Sequence, residues 1–299
     1  MSEVTREREL EMSKKIVVGT VQFSRKLGDK ETNIKRATTY LKMAAEKGVK
    51  IISLPELFST GYFPGGDTVS NEFFKWAETI PGPTTTEMEL LARKLQVCIV
   101  APIYEIDQDT LVHYNSAAVI GPEGLIGRYR KRHVPSAAPY LIEKYYYAPG
   151  NIKYPVFKAE GWPFAVSICY DRHFPETFRL STLHGAHIIF SVNNTPTPRS
   201  LKMWFMEIQV AASSNGVFVV QNNVVGEEMN FFGNSFIAGP QGDILGQMEK
   251  EEGVLIQELD QDQIVQARLG YKPIWDTNWS DFGLTDELSG YFLPCKKTM

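Results

Sequence analysis

The chain has 299 residues, enough to bury a large core, and its 43% hydrophobic and 22% charged content is that of an ordinary soluble globular protein. A formal net charge of -4 gives no electrostatic reason to expect nucleic acid or an anionic membrane as a partner. No apolar run approaches the roughly 18–20 residues that span a bilayer, and the charged stretch from Met1 to Leu10 has no apolar signal core, so a cytoplasmic protein is expected.

In chain order, Ile16 to Gln22 predicts a strand. Ile34, Ala37, Leu41 and Ala44 then recur at helical spacing until Gly48. Lys50 to Leu54 predicts a second strand, completing a β-α-β unit. A helix from Thr85 to Leu95 leads into a strand from Val97 to Tyr104. His113 to Ile120 and Leu125 to Tyr129 predict a hairpin around Gly121-Pro122-Glu123-Gly124. In the second half, Phe164 to Ile168 predicts a strand, Pro175 opens a helix, and His187 to Val192 is again a strand. Leu201 to Ser214 predicts a helix with Met203, Met206 and Val210 facing inward. Val217 to Gln221, Asn234 to Ala238 and Val254 to Glu258 predict further strands, and Gly239-Pro240-Gln241-Gly242 a second hairpin turn. The two halves resemble each other faintly, and no linker separates them. One layered α/β domain over 15–270 is expected, preceded by a charged extension (1–14) and followed by an aromatic, proline-bearing tail (271–299) that packs on the body or on a partner subunit.

Three cysteines, Cys98, Cys169 and Cys295, suit a reducing compartment rather than a disulfide scaffold. No CxxC or Cys/His cluster has zinc spacing, so no metal is expected, and His184 and His187 straddle Gly185 too awkwardly to form a metal face. Cys98 lies in an apolar strand and reads as a small core hydrophobe. Cys169 differs because of its company. Glu56 follows Ile51-Ile52-Ser53-Leu54-Pro55, Lys131 follows Gly127-Arg128-Tyr129-Arg130, and Cys169 follows Ala165-Val166-Ser167-Ile168. Each closes or directly follows a strand-like run, and active sites of α/β proteins gather at strand ends. A thiol, a carboxylate and an ammonium suffice for thiol-based acyl transfer, as nucleophile, proton shuttle and oxyanion partner.

Leu54-Pro55-Glu56, Tyr129-Arg130-Lys131 and Ile168-Cys169-Tyr170-Asp171, in this order, resemble the nitrilase superfamily of carbon–nitrogen hydrolases, from about Lys15 to Glu258. The resemblance implies a four-layer αββα sandwich whose subunits pair into an eight-layer αββααββα dimer, a Glu56-Lys131-Cys169 triad, and a homodimer or higher homo-oligomer acting on a small molecule without a cofactor. It also implies a second glutamate before a Tyr/Phe-x-Pro-Gly stretch, a place taken by Glu143 ahead of Tyr147-Ala148-Pro149-Gly150. The run Cys169-Tyr170-Asp171-Arg172-His173-Phe174-Pro175-Glu176 is similar to β-ureidopropionases and N-carbamoyl-D-amino-acid amidohydrolases. Lys131-Arg132-His133 and Asn194-Thr195-Pro196-Thr197 are similar to the second of these, and Arg172-His173 to the first. Polyamine-type carbamoyl amidases are a poorer match, since a cationic substrate would not favour Arg172 in its pocket. A simple amidase or a nitrilase would use the same three residues, whereas a silent interaction module would have lost one.

The expected chemistry is then specific. Lys131 favours the Cys169 thiolate and Glu56 takes the proton. Lys131 and the backbone N–H of Tyr170 hold the oxyanion, and Glu143 orients Lys131 or the substrate amide. Arg172 suits a substrate carboxylate, because a guanidinium binds one in bidentate fashion. Asn194 and Thr195 can add hydrogen bonds there, and His133 can contact the substrate or brace Glu143.

Overall fold

The structure, a computed structural model, describes residues 14–65, 68–136, 142–196, 201–226 and 228–270. The N-terminal extension to residue 13, the tail from Tyr271 with Cys295, and Thr197 of the Asn194–Thr197 motif lie outside the described residues.

The first half runs β1 (Lys15–Gln22), α1 (Lys30–Glu46), β2 (Ile51–Ser53), α2 (Pro83–Leu95), β3 (Cys98–Ile106), β4 (His113–Gly121), β5 (Gly124–Arg130) and the one-turn α3 (Glu143–Tyr146). The second runs β6 (Phe157–Ala159), β7 (Trp162–Ile168), α4 (Pro175–Leu183), β8 (Ile188–Val192), α5 (Leu201–Asn215), β9 (Phe218–Gln221), β10 (Val225–Gly226), β11 (Phe231–Phe232), β12 (Phe236–Ala238), β13 (Ile244–Gln247), β14 (Gly253–Asp260) and α6 (Gln261–Gly270).

Two six-stranded mixed sheets result, ordered β14-β1-β2-β3-β4-β5 and β13-β12-β9-β8-β7-β6. Each has three parallel strands, β1, β2 and β3 in one and β7, β8 and β9 in the other, extended by antiparallel neighbours. The resemblance between the halves is therefore real at the level of topology. The last strand, β14, returns to pair with β1 along its whole length, Lys15 opposite Asp260 and Gln22 opposite Gly253.

Strand periodicity divides the core into three slabs. Along β7, Phe164, Val166 and Ile168 join Val18, Val100, Val119, Phe190 and Val220 between the sheets. Ile34, Ala37, Leu41 and Met88 of α1 and α2 cover the outer face of the first sheet. Phe178, Trp204, Ile208 and Ala212 of α4 and α5 cover the second. The layers are α, β, β, α, the four-layer sandwich expected. Helix α1 starts where the Asp29 side chain accepts from Thr32 N–H, an N-cap worth about 1 kcal/mol.

Helix α5 corrects one expectation. Trp204, Ile208, Ala211, Ala212 and Asn215 face inward, whereas Met203 and Met206 are 44% exposed and Val210 is 62% exposed. Two apolar stripes compete on this helix. The inner one wins because Trp204 fills the slab with its ring and donates its Nε1–H to Asn234 O at 2.8 Å.

Candidate active site

The carboxyl ends of β2, β5, β7 and β8 converge, and their first residues beyond the sheet form one cluster. Lys131 follows β5 directly. Arg130 fixes that strand end through Glu105 of β3 and Asp107 just beyond it and stacks 3.9 Å from the Tyr114 ring. The Lys131 backbone is held on both sides, its N–H donating to Asn115 O (2.8 Å) and its carbonyl accepting from Gly150 N–H (2.7 Å). Gly150 is obligatory here, since a Cβ would lie 2.2 Å from Arg130 O. That is the physical meaning of the Pro149-Gly150 signal.

The Lys131 ammonium is fully buried between two buried carboxylates. Nζ lies 2.6 and 2.9 Å from Glu143 Oε2 and Oε1, and 3.1 Å from Glu56 Oε1. Burial opposes its charge, but Glu143 and Glu56 outweigh burial and raise its pKa above the usual lysine value. Each carboxylate also has a neutral donor, Asn115 Nδ2 on Glu56 Oε1 (2.8 Å) and Tyr62 Oη on Glu143 Oε1 (2.7 Å). Burial, with Glu56 adding to it against the pull of Lys131, raises the Glu143 pKa. Glu56 Oε2 is buried and has no hydrogen-bond partner among the described residues. The Glu56 carbonyl is fixed from two directions, by Arg25 Nη1 (2.6 Å) and by Asn194 Nδ2 (2.9 Å).

Cys169 ends β7 in the left-handed region, at φ +48°. For a residue with a Cβ this costs of order 1 kcal/mol or more, and it swings the half-buried thiol out of the strand line. The turn is held by Asp171, a buried carboxylate that accepts from Ile168 N–H (3.1 Å), Tyr129 Oη (2.7 Å) and His133 N–H (2.9 Å). Burial and the Glu56 charge push the Cys169 thiol up to about 12, while Lys131 and Arg172 pull it down without reversing the shift. Lys131 thus acts in the expected direction, yet the resting group at neutral pH is a thiol, so attack requires a base.

The other candidates divide. Tyr170 follows the cysteine in the same turn, its ring edge-on to His173 and Phe174. His133 is brought to Asp171, not to Glu143: its Nδ1 lies 2.8 Å from Asp171 Oδ1 and its ring stacks on Phe174 at 3.7 Å. Arg172 Nη1 donates to Cys169 O (3.2 Å) and Asn193 Oδ1 (3.3 Å) and lies 4.0 Å from the sulfur. Its Nε is 3.4 Å from Glu207 Oε2, and Glu207 also holds His173 Nδ1 at 2.7 Å. Thr195 is fixed through its N–H on Asn223 Oδ1 (2.9 Å). Asn194 Oδ1 and Thr195 Oγ1 are buried without a partner among the described residues. Cys98 is buried in the core, where burial pushes its thiol up to about 12. Tyr62, Asn115, Asn193 and Glu207 were not singled out in the sequence. Each lies in a run that reads as loop or core, and no local motif points to them.

A sandwich that gathers a thiol, a lysine and two carboxylates at one set of strand ends defines a hydrolase of amide-type bonds. Residues 17–269 match the carbon-nitrogen hydrolase family model. The chain belongs to this family and acts on carbon–nitrogen bonds of linear amides. It is 35% identical to an N-carbamoylputrescine amidase of Solanum lycopersicum over 280 residues, 87% of this chain and 91% of that protein. It is 32% identical to a beta-ureidopropionase of Arabidopsis thaliana, over 73% of this chain and 58% of that protein. The fold matches the crystal structure of a carbon-nitrogen hydrolase from Helicobacter pylori with a TM-score of 0.83 at 24% identity, covering 92% of this chain and 99% of that one. The N-carbamoylputrescine amidase thus matches at slightly higher identity than the beta-ureidopropionase.

Proposed function

We propose that the chain hydrolyses the terminal carbamoyl group of an N-carbamoyl amino acid through a covalent intermediate on Cys169. The observation that supports this most is the orphaned Glu56 Oε2, held in place by Lys131 and Asn115 on its other oxygen. The Cys169 thiol gives its proton to that oxygen and the sulfur attacks the ureido carbon. The oxyanion is held by Lys131 and the Tyr170 N–H, one such donor being worth ~3 kcal/mol in other enzymes. Collapse expels ammonia, which takes the proton from Glu56. Water, deprotonated by Glu56, then displaces sulfur, Glu56 returns that proton to restore the Cys169 thiol, and the N-carboxy product loses carbon dioxide to leave the amine. Glu143 keeps Lys131 in register. In this reading Arg172 receives the substrate carboxylate with the Thr195 hydroxyl free to donate beside it, while the unpartnered Asn194 Oδ1 accepts an N–H of the ureido group.

A second reading, an N-carbamoyl amine without a carboxylate, is favoured by the pairing of Arg172 with Glu207. Ammonia release from N-carbamoyl-β-alanine, N-carbamoyl-D- and L-amino acids, N-carbamoylputrescine, simple amides and nitriles separates the two. Arg172→Ala is expected to raise KM for carbamoyl amino acids by about ten- to a hundredfold and to spare neutral substrates. Equal losses on both would sink the carboxylate role. Turnover of nitriles or simple amides alone would sink the carbamoyl reading. Assembly into at least a homodimer belongs to the same proposal. It is supported by the exposed Met203, Met206 and Val210, which line a groove of about 390 Å³ between α4 and α5. A monomer by light scattering at micromolar concentration would count against it.

A further inference from the structure

We infer that Asn115 is the positioning residue that makes Glu56 the proton-transferring carboxylate of the pair; this rests on the proposed role of Glu56 as base. Two buried carboxylates compete for one ammonium. Glu143 takes Lys131 Nζ on both oxygens and adds the Tyr62 hydroxyl, whereas Glu56 receives Nζ only once, at 3.1 Å. A carboxylate with so little compensation would turn toward the ammonium or take up a proton permanently. Asn115 prevents both. Its Nδ2 donates to the same Oε1 at 2.8 Å, which fixes the plane of the carboxylate and leaves Oε2 as the oxygen without a partner.

The amide orientation is dictated by charge, since the opposite one would set Asn115 Oδ1 against Glu56 Oε1. Asn115 is 1% exposed and sits on β4 opposite Tyr104 of β3. Its own carbonyl accepts the Lys131 N–H at 2.8 Å. One residue thereby sets both ends of the Glu56–Lys131 contact, the base through its side chain and the lysine through its backbone. Side-chain substitutions remove the first and keep the second.

The test is the pH profile of kcat/KM for Asn115→Ala and Asn115→Asp beside Glu56→Gln, with ammonia release as the readout. Asn115 Nδ2 donates to the carboxylate, and an N–H given to a carboxylate favours its ionised form. Asn115→Ala is expected to lower kcat by about ten- to a hundredfold, change KM by less than about threefold, and move the acid limb upward by about half a pH unit or more. Asn115→Asp keeps the shape and adds a like charge, so its limb should move further up. Circular dichroism over the same pH range marks where each variant stays folded, and the limb is read only within that range, so acid unfolding of a weakened variant is not taken for a shift. An acid limb unmoved in both variants, with or without loss of rate, overturns the inference and makes Asn115 structural. Near-normal turnover in Glu56→Gln would instead overturn the reading of Glu56 itself.

Discussion

The two sheets contribute unlike halves to the site. The first supplies Glu56, Lys131 and Asn115, joined by Glu143 and Tyr62, in a buried network whose charges face one another at hydrogen-bond distance. Its one unpaired carboxylate oxygen, Glu56 Oε2, is the oxygen proposed to take the proton. The second supplies a cysteine in a strained turn, and around it Asn194 Oδ1 and Thr195 Oγ1 are buried without hydrogen-bond partners among the described residues. A buried polar atom left unpaired costs roughly 1–3 kcal/mol, which a ligand that pairs it can recover. On the proposed reading, proton transfer belongs to the ion-paired half and substrate recognition to the half around the cysteine. Asn194 joins them, because its Nδ2 holds the Glu56 carbonyl while its Oδ1 stays open.

The largest expected effect breaks the second half. Cys169→Ala should lower ammonia release by at least about 10⁴-fold while the protein melts within a few degrees of the parent, because the turn is held by Asp171 rather than by the thiol. Iodoacetamide should label Cys169 and spare buried Cys98. With the Cys169 thiol pushed up to about 12, the labelling rate should keep rising with pH from 7 to 10, with no plateau. A plateau near pH 7 would mean a resting thiolate and remove the need for Glu56 as base in the first step.

Breaking the first half should divide its two acids. Glu56→Gln should cost about 10³-fold in kcat, since the same oxygen serves both steps. Tyr62→Phe, which removes one donor from Glu143 and leaves Lys131 bound to both of its oxygens, should cost only about three- to tenfold. A reversed order, with Tyr62→Phe the more damaging, would place the proton-transferring group at Glu143.

The same division explains what could be read in the sequence. Glu56, Lys131 and Cys169 could be singled out because each stands just beyond a strand-like run, and Glu143 only through the resemblance, which places a glutamate ahead of Tyr147-Ala148-Pro149-Gly150. A layered α/β order follows from helices and strands that alternate with clear caps and glycines, whereas the four-layer sandwich was implied by the resemblance to carbon–nitrogen hydrolases. Hidden were the residues that act across the fold. Asn115 lies 59 residues from Glu56 and Tyr62 lies 81 from Glu143, and neither sits in a pattern of its own. The buried face of α5 was misread because methionine and valine are apolar wherever they point. Only the packing of Trp204 against Phe232 and Phe236 decides which stripe is inner. Glu207, on that helix, was invisible for the same reason, and with it the charge balance of Arg172.

Glu207→Gln gives the smallest effect and the sharpest view of the recognition half. If Glu207 balances Arg172 while the substrate is absent, removing its charge frees the guanidinium for a substrate carboxylate. KM for an N-carbamoyl amino acid should then fall by about two- to fivefold, the scale of one partly solvated ion pair. A neutral carbamoyl substrate loses nothing that touches Glu207, so its KM should stay. Glutamine keeps a side-chain oxygen for His173, which limits the change to charge. The sign is opposite to that expected for Arg172→Ala, so the two variants together test one arrangement from both sides. If KM instead rises for acidic and neutral substrates alike, Glu207 serves to hold Arg172 against the Cys169 carbonyl, and the guanidinium is a strut for the cysteine turn.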